Sequence, residues 1–278
     1  MLCSRVTRLT LAFCLFFCGS YDSDQARAAA WTQAYGKTQV IKTYSFYSTS
    51  FTETSDDNSF TKEQQFFKLE YKPLVEVGAS NNLTVGIAPS LQNVTTFDGS
   101  TAYNNFGLAD VDIFFRYKLW QQDTRVFSVQ PLVKLPGIYD ETISPSLGQQ
   151  QVDAELRFLY GQSYEYDDKW HFFNLEAAYR KRFEGPGDEF RAEATLGYRL
   201  INKVMVMPQI SAIYAVDESD TSSRFATNSN DFDLVKAQLS FVREISPNLS
   251  IQAGFFSHIS ARNTGGGGGT ILSFWSSF

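Results

Sequence analysis

Cysteine is nearly missing from this 278-residue chain. Cys3, Cys14 and Cys18 all fall at the extreme N-terminus, and nothing after them is a cysteine. No disulfide can brace the body of the protein, and no thiolate there can hold zinc or an iron–sulfur cluster. Histidine is almost as scarce, with 2 residues, so neither a metal nor a cofactor is expected. Charged residues make up 19% and sum to −6, a balance that argues against a nucleic-acid partner. Long apolar runs are lacking too. The longest, Leu9 to Cys18, is too short to cross a bilayer as a helix.

What the chain has is aromatic residues: 25 Phe and 14 Tyr, beside 18 Gly. Aromatic enrichment favours strands. The N-terminus carries Arg5 and Arg8, then the apolar run, then Ala28, Ala29 and Ala30. That is the layout of a secretory signal peptide, with cleavage expected after Ala30. Phe13 and Phe17 precede Cys14 and Cys18, where a lipid anchor would need a small residue. The expected division is therefore 1–30 signal peptide and 31–278 mature domain.

The mature region alternates with period two. Phe67, Leu69, Tyr71, Pro73, Val75 and Val77 share one parity, while Lys68, Glu70, Lys72 and Glu76 share the other. Ala109, Val111, Ile113, Phe115, Tyr117 and Leu119 likewise oppose Asp110, Asp112, Arg116 and Lys118. Such runs mark strands between two unlike environments. The pattern predicts twelve: 36–53, 62–77, 83–95, 107–120, 126–136, 150–163, 170–183, 189–200, 204–216, 232–245, 249–260 and 270–278. Short connections near 78–82, 121–125, 164–169, 201–203 and 246–248 alternate with mostly longer, acidic ones near 54–61, 96–106, 137–149, 184–188, 217–231 and 261–269. The fold class this describes is all-β: a transmembrane, antiparallel, up-and-down β-barrel of about twelve strands. Its short turns are periplasmic and its longer loops extracellular, in the bacterial outer membrane.

In a soluble sandwich the charged columns would be solvated faces; in a barrel they line the lumen. The expected lumen-lining residues are Lys68, Glu70, Asp110, Asp112, Arg116, Lys118, Asp153, Glu155, Arg157, Glu176, Arg180, Arg182, Arg191, Glu193 and Arg199. Trp120, Trp170 and Trp275, with Tyr71, Tyr117, Tyr160 and Tyr198, read as an aromatic girdle at the periplasmic interface. Pro73, Pro89, Pro131 and Pro208 fall mid-strand, and each removes a ladder donor. Pro73 and Pro89 should lie opposite each other, with a bulge or a water-filled defect there.

The chain ends on Phe278, at the parity of Leu272 and Phe274. That ending resembles the assembly signal of outer-membrane barrels. The segment 105–119 (NFGLADVDIFFRYKL) and the ending from SPNLS at 246 through ARNTG at 261 to Phe278 resemble the barrel family labelled "putative MetA-pathway of phenol degradation", often called transporter-like. The resemblance runs over most of the mature chain. It implies passage of small compounds, aromatic or hydrophobic ones included. The partners implied are outer-membrane lipid, the barrel-assembly machinery, periplasmic chaperones and small solutes.

Candidate chemistry is sparse. His258 and Ser260 resemble the His-x-Ser of outer-membrane lipid hydrolases, in which the His activates the Ser. No acidic residue follows Ser260, and both residues share the lumenal parity, away from lipid. An enzyme is therefore not expected, and His171 beside Trp170 reads as interfacial. The five glycines 265–269 lack the Lys-Ser/Thr and helix of a phosphate loop and read as a flexible connection. Acidic loop residues such as Asp140 and Asp217 could bind cations, but solvated loops account for them. The main reading is a passive channel for small solutes. The alternatives are a closed structural or surface-interaction barrel and, remotely, a lipid hydrolase using His258 and Ser260.

Overall fold

The structure is a computed structural model that describes residues 29–54, 61–139, 143–148, 150–183, 187–216 and 231–278. The acidic loop residues at 56–57, 140–141 and 217–220 lie outside them. Twelve strands run in order: β1 (Thr38–Thr54), β2 (Thr61–Ser80), β3 (Leu83–Asp98), β4 (Thr101–Gln122), β5 (Arg125–Ile138), β6 (Asp153–Tyr166), β7 (Lys169–Arg182), β8 (Glu189–Ile201), β9 (Val204–Ala215), β10 (Asp233–Ser246), β11 (Leu249–Arg262) and β12 (Gly268–Ser277). Each pairs antiparallel with its sequence neighbour, and β12 returns to β1 to close the barrel. Closure satisfies the backbone without leaving an edge, which a lipid environment demands.

One end of the barrel is made of two-residue turns, at 81–82, 123–124, 167–168, 202–203 and 247–248. Asp123, Asp167 and Asp168 adopt the positive φ that tight hairpins need. The other end differs from expectation at one point. The connection expected over 96–106 is only Gly99 and Ser100, because β3 and β4 extend well beyond the predicted limits. Above the bilayer both faces of a hairpin meet water, so the apolar period fades while the ladder continues. Asn104 there bonds Asn93 Oδ1 at 2.5 Å and Thr95 Oγ1 at 2.8 Å, a polar clasp between the two strands.

The prolines interrupt the ladder. Pairing of β2 with β3 runs to Tyr71↔Leu91 and resumes at Val75↔Ile87, and the gap centres on Pro73 and Pro89. A register shift on the β3–β4 side follows Pro89. Gaps flank Pro131 between β4 and β5 and Pro208 between β8 and β9.

Apolar side chains point outward: Leu69, Phe115, Leu156, Leu175, Phe190 and Phe255 are all exposed. Such a belt is stable against lipid and would be a liability in water. Three expectations about this face are corrected. Ala109 is fully buried against Val94 and Leu147, because the irregularity near Pro89 turns it from the outer column. Trp275 packs inside against the cluster of Phe172, Met205, Met207 and Val242, since Phe274 beside it takes the outward parity against Tyr44. Trp170 shares the inward parity of Phe172. The outward girdle is built instead from Trp120, Tyr117 and the group around His171. There Tyr198 stacks on the imidazole at 4.5 Å and Tyr164 at 5.2 Å. His171 Nδ1 accepts the Arg199 N–H, so Nε2 carries the proton and donates to the Tyr166 carbonyl.

Candidate functional site: the lumen

The inward faces form three tiers. At the periplasmic end, residues 29–37 enter the barrel ahead of β1. Trp31 is only 7% exposed and packs with Ala30, Val126 and Leu159. Its ring occupies the space over Gly161, where a Cβ would lie 2.4 Å from the indole. Arg116 Nη1 donates to the Trp31 carbonyl at 3.1 Å, while Nη2 holds Glu76 at 2.7 Å. Gln33 N–H donates to Thr84 Oγ1 at 2.7 Å, and its side-chain amide donates to Glu76 at 3.0 Å. Gly78 lets the Ala34 carbonyl approach, since a Cβ there would sit 2.0 Å from it. Across the mouth, Phe172 lies over Gly197 in the same manner, beside a cavity of about 140 Å³ lined in part by Arg199, Lys203, Glu244 and Trp275. Bulky rings seated on cross-strand glycines thus fill much of this end.

The middle tier is charged and paired. Glu155, whose side chain is fully buried, receives Arg157 and Arg180 at 2.8 Å each, with Arg191 at 4.0 Å. Arg157 also reaches Glu176 at 2.5 Å. Asp153 pairs with Lys134 at 2.8 Å and with Arg180 at 3.7 Å, and Lys134 approaches Asp110 at 3.8 Å. Lys72 joins β2 to Asp112 on β4 at 2.7 Å, passing over β3. Glu193 accepts hydrogen bonds from Gln209 and Thr195. Removing one partner from the buried Glu155 or Asp153 pairs costs about 3–5 kcal/mol. A belt so interlocked is rigid and narrows the bore.

The remaining predicted lumen residues sit elsewhere. Lys118 bonds Gln121 at the periplasmic rim, and Arg199 reaches Glu244 at 3.5 Å beside it. Arg116 belongs to the N-terminal segment's socket. Arg182 pairs with Glu189 at 3.0 Å near the extracellular end, next to Arg191–Glu189 at 2.6 Å. There Asp188 accepts the Tyr179 hydroxyl, the Arg182 N–H and the Lys181 ammonium. Burial opposes its charge, but these donors prevail and hold the carboxyl below its ordinary range.

The extracellular tier is aromatic, which polar-column reasoning missed. Tyr47, Phe66, Phe256 and His258 face inward, with Tyr47 at 5.9 Å from Phe66, 6.2 Å from Phe256 and 4.9 Å from His258. Lys68 and Glu70 lie just below, 3.7 Å apart. The glycine run is not a free loop here. β12 begins at Gly268, and the Gly265 carbonyl accepts from Tyr47 Oη at 2.7 Å and from His258 Nδ1 at 2.8 Å. His258 and Ser260 do not share a face, contrary to the parity argument. The strand is irregular at Ile259, so His258 pairs with Lys236 but Ser260 pairs with Val235 on the outer column. Among the described residues no group of His, Cys, Asp and Glu is arranged to hold a metal.

Comparison with known proteins agrees with this architecture. A family model described as "Putative MetA-pathway of phenol degradation" matches residues 43–274. The COG4313 outer membrane channel from Pseudomonas putida F1 is similar in structure, with a TM-score of 0.67 at 11% identity. The match covers 92% of this chain and 100% of that one. The translocator domain of the autotransporter NalP from Neisseria meningitidis follows with a TM-score of 0.51 at 12% identity, over 88% of this chain and 90% of that one. No curated protein matches. The fold is that of an outer-membrane barrel.

Proposed function

This chain belongs to the family described as "Putative MetA-pathway of phenol degradation", and on that premise we propose that it is a passive outer-membrane channel for small solutes, aromatic or hydrophobic ones among them. The observation that carries the reading is the inverted layout: an apolar exterior and a belt of ion pairs on the interior face between β2 and β8. Water and solute meet polar groups through the middle of the bore, and bulky solutes meet a constriction. The N-terminal segment from Trp31 to Lys37 narrows the periplasmic mouth, so the open path includes its displacement.

Phe278 fits the role of assembly signal. Its N–H donates to the Thr38 carbonyl at 2.8 Å and its carbonyl accepts the Thr38 N–H at 3.1 Å, at the seam where the barrel closes. Assembly machinery and chaperones would be met there. Signal cleavage after Ala30 would leave Trp31 as the first residue. We read no catalytic role: His258 is held by Gly265, and Ser260 lies on the opposite face. One observation favours a closed structural barrel instead, the filling of the periplasmic end by Trp31 and the Phe172 cluster. Single-channel recording of the refolded protein decides. Discrete conductance steps support the channel, and their absence from a correctly folded sample moves the function to the closed barrel.

A further inference from the structure

We propose that the extracellular half of the lumen holds a binding subsite for an aromatic carboxylate, with Lys236 taking the carboxylate and Phe256, Tyr47 and Phe66 taking the ring. Its use in passage rests on the channel reading; the binding does not.

The argument begins with Lys236. The other lysines and arginines of the middle belt reach a carboxylate within ion-pair distance, as Lys72, Lys134, Arg157, Arg180 and Arg191 do. Lys236 does not: among the described residues its ammonium has neither ion pair nor hydrogen bond and sits 5.5 Å over the Phe256 ring. The carboxylates in electrostatic reach of it are Glu70 and Glu193. Neither stands at ion-pair distance from it, and each is oriented by other hydrogen-bond donors. Glu70 accepts from Ser90 at 2.5 Å and from Gln92 at 3.2 Å, and Glu193 accepts from Gln209 and Thr195. Lys68 and Lys72 also lie within reach and add positive potential. A partly buried ammonium with no carboxylate at ion-pair distance, in a belt whose other cations each have one, is a place for an anion.

The second observation is the surface beside that cation. Four inward rings from β1, β2 and β11 form one wall on a face that otherwise carries polar side chains. The wall is fixed in place. Tyr47 and His258 both donate to the Gly265 carbonyl, and Gly269 leaves room for Phe256, whose ring would lie 2.7 Å from a Cβ there. A pre-formed apolar wall with one convergent charge is the usual makeup of a small-molecule site. A planar ring packs against such a wall at aromatic-pair distance, and a carboxylate makes a charge-assisted hydrogen bond to the lysine. An aliphatic acid would use only the charge, and a phenol only the wall.

The test is calorimetric titration of the detergent-folded, full-length mature protein with benzoate, acetate and phenol. Benzoate should bind at least about tenfold more tightly than either comparison ligand, because it alone uses both parts. Lys236→Gln should weaken benzoate about tenfold while leaving phenol unchanged, and Phe256→Leu should abolish the preference for benzoate over acetate. Heat-modifiable gel mobility confirms that each variant is folded. The proposal is overturned if folded wild type does not bind benzoate, if acetate binds as well as benzoate, or if Lys236→Gln binds benzoate like wild type. Binding without conductance would refute the channel reading alone, and conductance without binding would refute the subsite alone.

Discussion

Releasing the N-terminal segment should open the periplasmic mouth, and two opposite substitutions should do it. Trp31→Ala removes the ring from its seat, and Gly161→Val fills the seat while keeping the ring. An indole buries about 150–250 Å², which at roughly 25 cal/mol per Å² amounts to about 4–6 kcal/mol. Rehydration of the vacated socket lowers this toward the 3–5 kcal/mol typical of large-to-small aromatic changes. Each 1.4 kcal/mol is a factor of ten, so the docking equilibrium constant falls about a hundredfold or more. Gly161→Val acts by collision, since its Cβ would meet the ring at 2.4 Å in a strand that tolerates valine. The assay is single-channel recording in planar bilayers. Wild type should show a small conductance with occasional larger steps, and both variants should dwell in the larger state. If both variants fold and conduct like wild type, the segment does not restrict the path and the argument fails.

Other consequences are equally concrete. Leu196→Arg or Val111→Arg places a charge against lipid, at about 2–4 kcal/mol near the midplane. Asp112→Asn should harm folding yield in lipid vesicles far less, because its partner Lys72 keeps a side chain 41% exposed that water can solvate; equal yields would overturn the assigned faces. Neutralising Arg157 and Arg191 together to Gln frees carboxylates in the belt. The reversal potential under a salt gradient should then shift toward cation selectivity, and an unchanged potential in a conducting pore would remove these residues from the path. The depressed Asp188 carboxyl adds stability to the extracellular hairpin above the ordinary carboxylate range, and that stability is lost as pH falls through its lower folded value. Protection of the Arg182 amide from hydrogen exchange, taken relative to the intrinsic rate at each pH, should fall on acidification in wild type but show no such pH step in Asp188→Asn. If the signal is cleaved after Ala30, intact mass reads Trp31 first and Ser128→Ala is silent. A folding loss in Ser128→Ala would mean that the Ala30 carbonyl, which takes its hydroxyl, is retained.

The sequence by itself determined the class and topology of this protein. Side chains alternate across a strand, so Val111, Ile113, Phe115 and Tyr117 against Asp110, Asp112, Arg116 and Lys118 already state that one face meets an apolar medium and the other does not. Pro73 and Pro89, on opposite arms of one hairpin, likewise announced the gap in the ladder, because proline has no N–H to give. Tertiary structure alone decided what the inward face does. Alternation says that Phe172 and Phe256 point inward, but not that Gly197 and Gly269 on neighbouring strands receive their rings, since those partners are set by register across the barrel. Charge content says that ion pairs are available, but only the closed ladder brings Lys72 to Asp112 and leaves Lys236 with no carboxylate at ion-pair distance. The seat of Trp31 has no periodic signature, because it depends on a segment outside the strands folding back onto residues such as Gly161, far along the chain. Local patterning fixes faces; closure of the barrel fixes which residues meet across it.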